Sequence, residues 1–134
     1  MVCVYCGNRT QVTNSRLQKK ANQVWRRRQC QSCQGLFTTL EQIDLATSLL
    51  YKNGSNHVEP FQRDILFLSI NDSLKHRKTA SSDATALTAT VMAKLFPQIK
   101  EATIQRADII KVATEALKRF DKPAATSYQA FHSS

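Results

Sequence analysis

The chain has 134 residues, of which 19 are Lys or Arg and 10 are Asp or Glu, so its formal net charge is +9. This length allows one domain or two small ones. No segment approaches the roughly 20 consecutive apolar residues of a membrane helix, and the first residues do not form a secretory signal. We therefore expect no membrane span and a cytoplasmic location, where reduced cysteines bind metal more often than they form disulfides.

The positive charge is concentrated at the N-terminal end. Residues 1–40 contain seven Lys or Arg residues and no Asp or Glu, whereas residues 41–134 hold 12 basic and 10 acidic residues. Such asymmetry indicates two modules, the first of which meets a polyanion. A basic surface that only keeps the protein in solution is the alternative.

Four cysteines form two pairs, Cys3 with Cys6 and Cys30 with Cys33, separated by 23 residues. Two CxxC pairs at such a spacing are typical of a four-thiolate zinc site. A closed four-sulfur site leaves no open coordination position, so the zinc is expected to be structural. The alternatives are two redox CxxC motifs or unlinked buried thiols.

Short strands are predicted between and after the cysteine pairs, because β-branched and aromatic residues cluster at 11–13, 24–25 and 36–40. Together with the metal they predict a zinc ribbon. In an extended strand Arg26 and Arg28 share one face and Arg27 lies on the other. Arginine binds phosphate and guanine edges through its planar fork, so this segment is expected to bind nucleic acid.

The second module is predicted to begin with a β-hairpin over residues 47–61, with a turn at 52–55. Pro60 is expected at a strand end or a sheet edge, because it cannot donate a hydrogen bond to a neighbouring strand. Helices are predicted over 62–75, over 82–96 with a cap at Ser82 or Asp83, and over 103–120 starting at Thr103. A short last helix is expected at 124–131 around Tyr128 and Phe131.

No catalytic constellation is evident. The sequence has no GxxxxGK[ST], GxGxxG or HExxH motif and no serine elbow, and its acidic residues are not obviously paired. We therefore expect a protein that is not an enzyme.

The residues resemble those of the NrdR family of bacterial repressors of ribonucleotide reductase genes, over nearly the whole chain. In the first half the resemblance rests on the two cysteine pairs, Asn14-Ser15-Arg16, the arginine run before Cys30, and Phe37-Thr38-Thr39. In the second half it rests on Leu50–Ser55, with its Lys and Gly turn, on Glu59-Pro60-Phe61, and on 117–121 with Tyr128 and Phe131.

The resemblance implies an α+β fold, with a small β zinc ribbon followed by a mainly helical ATP-cone that begins with a β-hairpin. The zinc ribbon would be a DNA-binding domain over residues 1–42, and the cone a nucleotide-binding and oligomerisation domain over 46–132. The metal ligands would be Cys3, Cys6, Cys30 and Cys33. ATP or dATP would bind the cone as effector at Leu50, Lys52, Asn53, Glu59, Arg63, Arg77 and Arg106.

The resemblance also implies double-stranded operator DNA as partner, a homo-oligomer whose size depends on the nucleotide, and association with the bacterial nucleoid. The expected DNA contacts are Arg16, Arg26, Arg27 and Arg28, with Lys19 and Lys20 at phosphates. One difference is that Ile65 stands where the family has a phosphate-binding lysine. The alternative function is a constitutive zinc-ribbon module that binds nucleic acid or protein and whose cone has lost its ligand.

Overall fold

The computed structural model describes residues 1–54 and 56–133, which form two units. The ribbon unit covers Met1–Ile43, and the C-terminal unit begins at Asp44. Ser55, in the predicted hairpin turn, lies outside the described residues. None of the helices in the described part of the chain could span a membrane.

The ribbon unit is a three-stranded antiparallel sheet in the order β1-β2-β3. Its strands are β1 (Thr10–Gln18), β2 (Gln23–Cys30) and β3 (Leu36–Glu41), so all three predicted strands are confirmed. Cys30 at the end of β2 and Phe37 in β3 are buried together with Cys3. This small apolar cluster joins the sheet to the cysteine loops.

The C-terminal unit begins with a four-residue helix, α1 (Leu45–Ser48), where the sequence predicted the start of the hairpin. The hairpin is shorter than expected and consists of β4 (Leu50–Lys52) and β5 (Val58–Pro60). Pro60 is the last residue of β5, which is an edge strand, as predicted.

A third strand, β6 (Thr103–Gln105), pairs in parallel with β4 and gives the sheet order β5-β4-β6. The prediction that a helix starts at Thr103 is therefore wrong. Two residues with positive φ, Glu101 and Ala102, form the turn that leads into the strand. The β-branched residues Thr103 and Ile104 suit that strand, and Ile104 is buried.

Four longer helices complete the unit: α2 (Arg63–Ser73), α3 (Ala80–Leu95), α4 (Arg106–Phe120) and α5 (Lys122–Phe131). Helix α3 starts earlier than predicted, and Thr79 rather than Ser82 or Asp83 is its N-cap residue. Asp83 lies in the first turn, and its carboxylate accepts hydrogen bonds from the Thr79 hydroxyl and from Arg77. Asp83 therefore connects Arg77 and Thr79 to the first turn of α3.

The helices enclose an apolar core. Leu66 and Ile70 of α2, and Leu74 just after this helix, are buried in it. Each fully buried side chain of this size contributes about 1.5–3 kcal/mol relative to exposure. Two apolar residues of α2, Ile65 and Leu68, are more than half exposed, because they lie off the stripe that faces the core. In α5, which confirms the predicted last helix, Tyr128 is buried and Phe131 is 81% exposed.

Candidate functional site

The four cysteine sulfurs of the ribbon unit converge at one point. All lie within 4.8 Å of one another, with Sγ–Sγ distances of 3.7 Å between Cys3 and Cys33 and 3.5 Å between Cys6 and Cys30. A tetrahedral zinc ion with Zn–S bonds of about 2.3 Å needs sulfurs roughly 3.8 Å apart. The donor set therefore fits a structural zinc ion bound by all four cysteines.

The two cysteine loops have similar turns. Backbone N–H groups donate to sulfur in both: Tyr5 to Cys3 at 3.4 Å, and Ser32 and Cys33 to Cys30 at 3.4 and 3.5 Å. The residue after the second cysteine of each pair has a positive φ, Gly7 in the first loop and Gln34 in the second. These N–H groups stabilise negative charge on the sulfurs.

The thiols influence one another's protonation. The hydrogen bond from the Cys33 N–H lowers the pKa of Cys30, with smaller contributions from the Ser32 N–H and the thiols of Cys6 and Cys33, although burial opposes this. The Gly35 N–H favours the Cys33 thiolate, but desolvation and the three neighbouring thiols raise the pKa of Cys33 to about 12. Four thiolates at this separation repel each other, and a bound dication removes that repulsion.

The three consecutive arginines of β2 project from both faces of the sheet, as predicted. Arg26 pairs with the Glu41 carboxylate at 2.9 Å, and Arg28 donates to the hydroxyls of Thr39 and Thr10 at 3.3 and 3.4 Å. Arg27, on the other face, donates to the Thr38 hydroxyl at 3.2 Å. Of the three, Arg26 is thus the one paired with a carboxylate.

A β-bulge in β1 brings Arg16 to the face that carries Arg27. The register passes from Val12 opposite Arg28 to Asn14 opposite Arg27, which leaves Thr13 as the extra residue. Arg16 then lies opposite Trp25, and Trp25 and Arg27 share one face because side chains alternate. We call this face, with Arg16, Trp25 and Arg27, the Arg27 face.

The lysines predicted to contact phosphate lie beyond β1. Lys19 and Lys20 are exposed in the turn between β1 and β2, where Asn22 has a positive φ. Arg16 is also exposed, whereas the three arginines of β2 are partly buried. Among the described residues of the ribbon unit, Glu41 is the only acidic side chain, so the surface of this unit is strongly positive.

The C-terminal unit contains a cavity of about 270 Å³ between the hairpin, α2, α4 and α5. We call it the Tyr51 cavity. Its walls are mainly aromatic and aliphatic, with a few polar groups, and include Tyr51, Phe61, Ile65, Leu66, Ile109, Ile110 and Tyr128. A concave, largely apolar site with a few polar groups is typical of small-molecule binding.

Three of the seven residues predicted to bind nucleotide line this cavity, namely Asn53, Glu59 and Arg106. Leu50, Lys52 and Arg63 are not part of its wall. Leu50 and Lys52 flank Tyr51 in β4, and alternation places them on the opposite face of that strand. Tyr51 itself packs against the core.

Other residues of the cavity were not singled out from the sequence as ligand contacts. His132 packs on Tyr128 with ring centroids 4.3 Å apart, and its carbonyl accepts a hydrogen bond from Arg106 at 3.2 Å. Burial and the Arg106 charge lower the pKa of His132, and burial raises the pKa of both Tyr51 and Tyr128. These three side chains are therefore neutral at pH 7. The aromatic residues of the last helix, Tyr128 and Phe131, were the sequence signal that could have pointed to this cavity.

Arg77 lies in a different cluster. Its guanidinium contacts Asp83 at 2.9 Å and Asp121 at 3.1 Å, and stacks 4.6 Å from the centroid of Phe120. Asp121 also accepts from the Ala124 N–H and from His76 at 2.9 Å. The Ala124 N–H and then His76 lower the pKa of Asp121 to about 2. This cluster ties the segment between α2 and α3 to the junction of α4 and α5.

The chain is similar to named proteins along almost its whole length. Residues 1–41 match the protein-family model described as "Transcriptional repressor NrdR-like, N-terminal domain". A "Transcriptional repressor NrdR" of Sphingopyxis alaskensis is 34% identical over 92% of this chain and 79% of its own length. Proteins of the same name from Polynucleobacter necessarius and Phenylobacterium zucineum are 32% and 30% identical, over 98% and 96% of this chain and 90% and 82% of their own lengths.

The four-sulfur centre, the three-stranded ribbon and this similarity along almost the whole chain agree, and the chain belongs to the NrdR family of transcriptional repressors.

Proposed function

We propose that the chain is a zinc-dependent transcriptional repressor whose DNA binding is controlled by ATP or dATP, and that its operators lie before ribonucleotide reductase genes. The arginine-bearing strand β2, which ends at Cys30 of the four-sulfur centre, supports the DNA-binding part of this function most directly. The names of its relatives favour a regulatory protein over an enzyme. A repressor acts on the chromosome, so we place it in the cytoplasm, at the nucleoid.

The DNA-binding domain in this proposal comprises residues 1–42. Zinc fixes both cysteine loops, and the sheet then holds the arginines at defined positions, because a segment this small has little core of its own. The Arg27 face contacts the duplex, while Lys19 and Lys20 bind phosphates nearby. Arg26 and Arg28 support the strand through Glu41 and the two threonines, and add positive charge.

The nucleotide-binding domain comprises residues 46–132, with the Tyr51 cavity as its ligand site. Tyr51 is partly exposed and offers a flat apolar surface to an adenine base, and the buried side chains of Phe61 and Tyr128 contribute to the apolar wall. The Glu59 carboxylate can accept hydrogen bonds from the sugar hydroxyls, Asn53 can donate or accept, and Arg106 can bind phosphate. Lys52 and Arg63 lie outside the wall of this cavity, and they would contact phosphate only if the ligand left the cavity past the hairpin strand β4 or the start of α2.

Control of DNA binding requires that the nucleotide binds one assembly of the protein more tightly than another. We propose that ATP and dATP select homo-oligomers of different size through the C-terminal unit. Paired ribbons in an oligomer would raise the apparent affinity of each small DNA-binding unit and would favour repeated half-sites.

The direct test is a binding titration of labelled promoter duplexes with the zinc-loaded protein, alone and with ATP or dATP. The promoter of a ribonucleotide reductase operon from the source organism should bind more tightly than a shuffled duplex of equal length, and one nucleotide should change that affinity. Affinity should fall steeply with salt, since phosphate contacts release counterions. Equal affinity for both duplexes, without a nucleotide effect, would refute the proposal.

A second candidate is a constitutive zinc-ribbon module that binds RNA or a protein. One observation favours it: among the described residues that line the Tyr51 cavity, Arg106 is the only Lys or Arg, and Ile65 is exposed there. This candidate predicts an unchanged assembly with either nucleotide and a preference for RNA over duplex DNA.

A further inference from the structure

A second cavity of the C-terminal unit adjoins the Tyr51 cavity. It has a volume of about 510 Å³ and runs along α4 from the hairpin tip at Gly54 to Lys118. We call it the α4 groove. Arg106 and Ile110 line both cavities, so these two residues form the boundary between them.

Helix geometry explains how one helix serves both cavities. Successive residues of an α-helix are turned by about 100°. Ile109 therefore lies on one side of the Arg106–Ile110 line, and Lys111, Thr114 and Lys118 lie on the other. The first side faces the Tyr51 cavity and the second faces the α4 groove.

The two cavities differ in charge. In the Tyr51 cavity, Arg106 is balanced by Glu59, and the lowered pKa of His132 leaves that ring neutral at pH 7. In the α4 groove, Lys111 and Lys118 add two positive charges against the single charge of Glu115. The apolar cavity suits an uncharged ring system, and the groove suits an anion.

Thr114 gives a second, independent indication of a ligand at the groove. Its side chain contributes to the groove wall, is 7% exposed, and has a hydroxyl oxygen with no hydrogen-bond partner among the described residues. Buried hydroxyls are nearly always paired. The hydroxyl is covered in this conformation, and turning about χ1 would let it donate to an acceptor bound in the groove.

We propose that the α4 groove binds the polyphosphate of an adenine nucleotide whose base and sugar occupy the Tyr51 cavity, with Arg106 contacting the phosphate nearest the sugar. The inference rests on the proposed nucleotide binding and adds the path of the phosphates. That path leads away from Ile65 and along α4, where Lys111 and Lys118 supply the positive charge.

Calorimetric titration of the full zinc-loaded chain with ATP and with adenosine tests this path. The double variant Lys111→Gln/Lys118→Gln should weaken ATP binding at least tenfold, because it removes two charge-assisted contacts. Its affinity for adenosine should stay within about twofold of the unsubstituted protein, since the Tyr51 cavity is intact. The matched control Lys78→Gln/Lys94→Gln removes two exposed lysines that line neither cavity, and its ATP affinity should be unchanged.

Three other results would overturn the inference. If the groove variant binds ATP like the unsubstituted protein, the phosphates lie elsewhere while nucleotide binding itself stands. If adenosine binding falls as much as ATP binding, the lysines do not act on phosphate. If the unsubstituted protein binds neither ATP nor dATP, the proposed nucleotide function fails and the phosphate path fails with it.

Discussion

Gly35 leaves room for the Tyr5 ring: a β-carbon at position 35 would lie 2.5 Å from Cδ2 of Tyr5. The Tyr5 hydroxyl donates to the Leu36 carbonyl at 3.0 Å, and the ring meets Phe37 edge-on. Tyr5 belongs to the first cysteine loop, and Gly35 follows the second. Their contact therefore aligns the two halves of the metal site.

We expect Gly35→Ala to destabilise the ribbon unit by about 1–3 kcal/mol, the usual cost of overpacking. The substituted protein should lose zinc to a chelator at a lower concentration. Gly54→Ala is the control, because its β-carbon meets no atom within 4 Å and the backbone strain from its φ of +63° is confined to the other unit. Equal zinc retention in the two variants would show that the contact between Tyr5 and Gly35 does not stabilise the metal site.

Cys30→Ser should release the zinc and unfold the ribbon unit. Cys30 is fully buried and accepts two backbone hydrogen bonds at sulfur, and serine is a poor substitute for a thiolate ligand. Native mass spectrometry would give the metal content. A variant that keeps one zinc ion per chain would refute the four-thiolate site.

Arg27→Ala should weaken binding to duplex DNA by about 1–3 kcal/mol without changing zinc content or the nucleotide response. Arg26→Ala should have the smaller effect, because that guanidinium already pairs with Glu41. Fluorescence anisotropy over a salt series measures both. A larger loss from Arg26→Ala would show that the opposite face of the ribbon contacts DNA.

Arg106→Gln should weaken ATP and dATP binding about tenfold, the loss of one charge-assisted contact. Lys52→Gln should change it little, because Lys52 lies outside the wall of the Tyr51 cavity. Calorimetry of the two variants would show whether Arg106, in the cavity wall, or Lys52, predicted from the sequence, contributes more to nucleotide affinity. A stronger effect at Lys52 would place the phosphates at the hairpin turn.

The stability of the C-terminal unit should fall in acid. The folded-state pKa of Asp121 is about 2, below the ordinary value of 3.8, because the Ala124 N–H and His76 bind the carboxylate. A lowered pKa stabilises the fold above pH 3.8, and this contribution is lost as the pH falls towards 2.

Urea unfolding between pH 6 and pH 2 checks the acid dependence. Asp121→Asn should be less stable than the unsubstituted protein at pH 6, and the difference should shrink near pH 2. A constant difference across this range would mean that the charge of Asp121 does not contribute.

Much of the ribbon could be predicted from the sequence, because cysteine spacing and strand alternation are local signals. They gave the metal ligands as a candidate set and the opposite faces of Arg26 and Arg27. The bulge at Thr13, which brings Arg16 beside Trp25, depends on pairing between strands. No local pattern in β1 reveals it.

The C-terminal unit was less predictable. Thr103–Gln105 continues the apolar pattern of α4, yet it forms a strand because β4 offers a free edge for pairing. The candidate cavity depends on which side of β4 faces the helices, and the sequence pointed to Lys52 where the structure presents Tyr51. Such long-range pairing and packing are not encoded in any single segment.

Nucleotide binding is expected to change the assembly of this protein. Mass photometry of zinc-loaded protein stripped of nucleotide, then with ATP and with dATP, measures this change. We predict that at least one nucleotide shifts the mass distribution to a different oligomer. The same distribution in all three samples, with no bound nucleotide detected, would contradict the claim.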